Sequence, residues 1–107
     1  MQLTVRELMQ SSSLGYVVKY SAEFDTVSSS DPVSATVANT IPDDADPELV
    51  ELARIYIAES FTRVLAARSL AATLVIRDLV IHDVDFAEFA FRKFTISALE
   101  SLLDSSA

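Results

Sequence analysis

The residues from Tyr16 to Phe24 alternate without a break. Tyr16, Val18, Tyr20, Ala22 and Phe24 point one way, and Val17, Lys19, Ser21 and Glu23 point the other. A two-residue period with one apolar side specifies a β-strand that buries a single face. Such a strand needs neighbours in a sheet and a second layer over its apolar side. The flanking sequence offers both neighbours. Leu3, Val5 and Met9 share one side of a first segment, opposite Thr4 and Arg6. Val33, Ala35, Val37 and Ile41 mark the inward side of a third. Ser11-Ser12-Ser13 with Gly15, and Ser28-Ser29-Ser30-Asp31-Pro32, are turn clusters between them. The front half therefore predicts three strands in an antiparallel meander.

The period then changes. Pro42-Asp43-Asp44-Ala45-Asp46-Pro47 punctuates the chain. Asp46 is placed to cap a helix, Pro47 suits the first helical position, and Glu48 complements the dipole. Leu49, Leu52, Ala53, Tyr56, Ser60, Phe61 and Val64 recur at spacings of three and four, which predicts a helix to about Arg68. Leu70 to Ile81 is rich in Thr, Val, Ile and Leu and predicts a strand, whole or in two halves around Arg77-Asp78. Asp85 with Glu88 has the spacing of a capping box and would start a second helix. Its apolar stripe runs from Phe86 and Phe89 to Leu103, and residues 104–107 are expected to fray. The fold class is α+β, in the order β-β-β-α-β-α. It is one domain over 1–107, a four-stranded, mainly antiparallel sheet with two helices on one face.

Composition narrows the chemistry. Among 107 residues there is one Gly, one His and no Cys, and 16 acidic residues outnumber 8 basic ones. The absence of Cys excludes disulfides, a thiol nucleophile and a zinc–cysteine site. One Gly cannot build a phosphate-binding loop. A net charge of -8 opposes direct nucleic-acid binding, which draws on an excess of Lys and Arg. No apolar run approaches the ~18 residues of a membrane span, and the first residues lack the pattern of a secretory signal. A cytoplasmic protein is the expectation.

The stretch His82-Asp83-Val84-Asp85-Phe86-Ala87-Glu88-Phe89-Ala90-Phe91-Arg92 resembles domain IV of translation elongation factor G. The matching positions are His82, Asp83, Val84, Asp85, Glu88, Ala90 and Phe91, with a basic residue at Arg92. Ile41-Pro42 followed by Pro47, Val64-Leu65-Ala66 and Gly15-Tyr16-Val17-Val18 resemble other family segments in the same order. The resemblance implies a four-stranded sheet backed by two helices, with a left-handed crossover. It implies a non-catalytic domain associated with translation, whose tip loops touch RNA on the ribosome. Here those tips differ. The family's Gly-rich loop is replaced by Ser11 to Gly15, and the polar residues before the His by Asp78-Leu79-Val80-Ile81. The alternative is a protein-interaction or homodimeric module that keeps the fold and has lost the ribosomal tip.

Candidate sites follow from these segments. Leu14, Gly15, Leu79, Val80, Ile81 and His82 would form an interaction tip if Leu79 to Ile81 were exposed. If they continued a strand they would be half buried instead. His82 beside Asp83, Asp85 and Glu88 could be drawn as an acid–base or metal site. Neither drawing has a second reactive group, and Asp85 and Glu88 have a capping task, so no enzyme activity, metal or cofactor is expected. Arg63, Arg68, Arg77, Arg92 and Lys93 form a basic patch only if carboxylates do not claim them. Phe86 and Phe91 are the candidates for outward aromatic anchors.

Overall fold

The structure is a computed structural model that describes residues 1–10 and 15–105. Leu14 and the serines before it lie outside the described residues, as do 106–107. Among the described residues six strands and two helices follow one another: β1 (Gln2–Met9), β2 (Tyr16–Ser28), β3 (Ser34–Val37), β4 (Thr40–Ile41), α1 (Pro47–Ala66), β5 (Leu70–Arg77), β6 (Leu79–Val80) and α2 (Glu88–Ser105). The class is α+β, as the change of period indicates.

The main sheet has the order β1-β2-β5-β3. β1 and β2 are antiparallel, with Leu3 opposite Ala22 and Val5 opposite Tyr20. β2 and β5 are also antiparallel, with Phe24 opposite Leu74. The expected three-strand meander does not form. β5 lies between β2 and β3, and β3 runs parallel to it, with Val37 beside Ile76. The reason is burial. Leu74 and Ile76 are fully buried on the face the helices cover, and so apolar a strand takes the centre of the sheet. The short β3, with half-buried Ala35 and Val37, is left at the rim. Leu70 to Ile81 divides at Asp78, which has a positive φ of 53°. Beyond it β6 pairs in parallel with β4 in a small second sheet.

α1 starts as its sequence dictates. Asp46 Oδ1 accepts a hydrogen bond of 2.9 Å from the Glu48 N–H, and Pro47 opens the first turn. The helix ends at Ala66, two residues short of the expected Arg68. It buries Ala53, Ile57, Phe61, Val64 and Leu65. α2 begins at Glu88, so Asp85 is not its cap. Helical bonding starts at Ala87, whose carbonyl accepts from the Phe91 N–H at 3.2 Å. At the other end the helix continues through Asp104, which Arg68 Nη2 holds at 2.9 Å. This part of the expected frayed tail is therefore ordered helix.

Both helices cover one face of the sheet, over Leu3, Val5, Val18, Tyr20, Ala22, Phe24, Leu74 and Ile76. Phe24 and Phe61 meet edge to face at 5.1 Å between centroids, a favoured aromatic geometry. Tyr20 and Thr95, both buried, share a hydroxyl–hydroxyl hydrogen bond that ties the sheet to α2. Burial holds the Tyr20 phenol well above its ordinary range, with the Thr95 bond opposing weakly.

Candidate functional site

The residues of the candidate tip do not act as one group. Leu79 and Ile81 are buried, at 0% and 5% exposure, and Val80 is half-buried. Of the two arrangements open to this triplet, the strand continuation is the one found, and it is more deeply buried than half. The cause is the small β4–β6 sheet. Leu79 N–H donates to the Asn39 carbonyl at 3.3 Å, and Ile81 N–H to the Ile41 carbonyl at 3.0 Å. These bonds draw the segment onto the core, and a charge at Ile81 would disrupt folding rather than an interface.

His82 and Gly15, in contrast, sit at one end of the molecule on either side of Asp85. His82 Nδ1 lies 3.2 Å from Asp85 Oδ2, and the His82 ring is half exposed. The Asp85 N–H donates back to the His82 carbonyl at 3.1 Å, closing the turn. The Val17 N–H then donates to the Asp85 carbonyl at 3.2 Å, which docks the turn on the start of β2. Gly15 is the residue that allows this approach. A Cβ there would stand 2.6 Å from Asp85 Oδ1 and 3.3 Å from the Met9 carbonyl oxygen. The capping-box spacing of Asp85 and Glu88 is therefore put to another use. Asp85 orients His82 and closes the turn, while Glu88 accepts from Arg92 Nε at 2.9 Å.

Around this end lies an apolar surface that the sequence alone did not mark. Val84 is 87% exposed, Phe89 47% and Met9 43%. Met9 pairs with Tyr16 in the β1–β2 ladder, and Tyr16 meets Phe89 edge-on at 5.9 Å. The outward aromatic is Phe89, not Phe91 or Phe86. Phe91 is fully buried, and Phe86 lies 5.3 Å from it between centroids. The face that α2 buries carries Phe91, Thr95 and Leu99 at spacings of four, which leaves Phe89 on the opposite side.

The basic side chains are largely claimed by carboxylates. Arg92 Nη2 meets Glu59 at 2.8 Å while Nε holds Glu88, and its guanidinium lies 4.9 Å from the centre of the Tyr56 ring. The hydrogen bond it donates to Glu59 holds the Arg92 guanidinium above its ordinary range. Arg77 faces Glu23 at 3.4 Å, and Arg68 faces Asp104. Lys93 lies over Phe94 at 5.4 Å. Arg63 borders a different cleft, with Arg68 and Glu100. Among the described residues no group of three or more His, Asp and Glu could hold a metal ion. Asp83 and Glu88 do not join His82 and Asp85 in such a group. Among the described residues, too, no helix is long and apolar enough to cross a membrane.

No protein-family model matches the chain, and no curated protein matches it. A crystal structure of a protein from Thermus thermophilus does, with a TM-score of 0.53 and 14% identity over 94% of this chain. The chain spans 15% of that protein's length. At this identity the likeness is one of fold.

Proposed function

We propose that the chain is a non-catalytic binding module on a scaffold like domain IV of elongation factor G. In this reading it associates with ribosomes or a ribosome-linked factor, and its working end is the turn from His82 to Asp85. The contact between Gly15 and Asp85 carries the reading. It joins two separate segments on which the resemblance rests, and places His82 beside them at the surface. A non-catalytic role fits a half-exposed His82 that, among the described residues, pairs with Asp85 alone. Co-sedimentation with small ribosomal subunits over a range of salt tests the association. Binding at low salt that weakens as salt rises is expected. Failure to sediment even at low salt would overturn it.

A second reading is favoured by the apolar surface of Met9, Val84 and Phe89. An exposed apolar patch beside paired basic residues suits a protein surface better than RNA. Phe89→Asp separates the two. It should abolish a protein contact while leaving the fold intact, since Phe89 stands outside the core cluster.

A further inference from the structure

We propose that the free edge of β3 takes an extended, basic segment of a protein partner by strand addition, beside a groove that receives its side chains. The site uses none of residues 82–89 and stands or falls independently of the ribosomal reading.

β3 pairs with β5 on one side and ends the sheet on the other. The Ala38 N–H donates to the Ile76 carbonyl at 2.8 Å. Successive residues in an extended strand turn their N–H groups to opposite edges. The N–H groups of Ala35 and Val37 therefore face away from β5. The Val33 N–H, on that same side, is taken by Thr62 Oγ1 at 3.1 Å. The open edge starts after it, and both Ala35 and Val37 are only half-buried.

Exposed edges are normally defended by charge, Pro or a bulge. β1, at the opposite edge, carries Arg6 and Glu7. β3 reads Ser-Ala-Thr-Val; its four residues are short, but it carries no charge or Pro. Beside it, between β3 and the start of α1, runs a groove of about 500 Å³. Val37, Ala38, Ala45, Pro47 and Val50 give it an apolar lining. A strand added to β3 would direct alternate side chains toward this lining.

Charge selects the occupant. Asp43, Asp44, Asp46, Glu48 and Glu51 occur from 43 to 51 with no basic residue among them. Arg54, the next cation, is already held by Glu51. Asp43 and Glu51 stand on the groove itself. A basic segment is attracted there, whereas nucleic acid and a second copy of this acidic chain are repelled.

The test uses isotope-labelled full chain and two short peptides, one alternating Lys and Val, the other Glu and Val. The basic peptide should bind at least about tenfold more tightly, as complementary charge favours it over like charge. Its affinity should fall with salt. The amide resonances of Ala35 and Val37 should move and become protected from hydrogen exchange. Ala35→Pro removes an N–H that β5 does not use, and should abolish binding. Asp43→Lys with Asp44→Lys changes exposed positions only and should weaken it with the fold unchanged. Equal binding of both peptides, or shifts confined to residues outside 34–51, overturns the proposal. Protection of the edge that grows with protein concentration alone would replace the partner with a second copy. Shifts of the same amides by single-stranded RNA would replace it with nucleic acid. Either result also overturns it.

Discussion

Asn39 and Asp78 hold each other from two distant loops. Asn39 Nδ2 donates to Asp78 Oδ1 at 2.9 Å, and the Asp78 N–H returns a bond of 3.1 Å to Asn39 Oδ1. Asp78 has a positive φ, so the pair pins the bend where β5 gives way to β6. Asn39→Ala removes both bonds and should cost about 1 kcal/mol, the usual net worth of exposed hydrogen bonds. Asp78→Val should cost more, because a branched side chain resists positive φ. Urea unfolding of the two variants checks the order.

Tyr20 and Thr95 should behave as a coupled pair. Tyr20→Phe leaves a buried hydroxyl without its partner, at a cost of about 1–3 kcal/mol. Adding Thr95→Val should recover part of that loss, giving a favourable coupling in a double-mutant cycle. The phenol also predicts a pH dependence. Its pKa is raised on folding by burial, so the native state keeps a proton that the unfolded chain releases. Stability from this group is complete below the unfolded pKa of about 10 and declines as pH rises beyond it. Tyr20→Phe should flatten that decline in alkaline denaturation.

Gly15→Ala should push the Asp85 carboxylate away from its present position. The expected cost is about 1–2 kcal/mol, as for other forced contacts in packed sites. The same substitution should cost less once Asp85→Ala has removed the clashing oxygens. The ring resonances of His82 should shift in Gly15→Ala. Equal costs in both backgrounds would mean that another contact, such as the Met9 carbonyl, sets the penalty.

Ser69 has a φ of 59°, a left-handed conformation that L-residues adopt at a cost. Its N–H bonds the Ala66 carbonyl at 3.0 Å in the turn that closes α1. Ser69→Gly should therefore stabilise the protein, by up to about 1 kcal/mol. A rise in the midpoint of thermal unfolding is the readout.

Arg92 joins α2 to α1 through Glu59 and Tyr56. Arg92→Lys keeps the charge but loses the planar fork and much of the ring contact. At this partly exposed site the loss should be about 1 kcal/mol or less, and smaller in high salt. Arg92→Lys and Glu59→Gln should be less than additive, measured by urea unfolding.

The strands and helices could be read from the sequence because periodicity is a local property. Val18, Tyr20, Ala22 and Phe24 are buried as their alternation requires, and Asp46 caps α1 as its neighbours suggest. Pairing was less accessible. Alternation in Val33 to Val37 identifies a strand but does not name its neighbour, and the Leu74–Ile76 segment that claims the place beside β2 comes much later. Ile41 follows the same alternation yet is exposed, because the chain has left the main sheet for β4. Asp85 misled for a different reason. Its spacing to Glu88 satisfies a capping rule, but the competing partner, His82, becomes visible only when the turn is closed. Phe89 misled because it shares an apolar spacing with Phe86, while the face that α2 buries carries Phe91, Thr95 and Leu99.

The place of β5 also sets the order in which the chain can complete itself. As synthesis proceeds, the hairpin of β1 and β2 can close early, but β3 emerges with no strand to join. Its neighbour is made only after α1. Tyr20 waits longer still, since Thr95, its partner on α2, is made after β5. A nascent chain stopped before Leu70 should thus carry a hairpin and an unpaired third strand, and depend on shielding until its centre arrives.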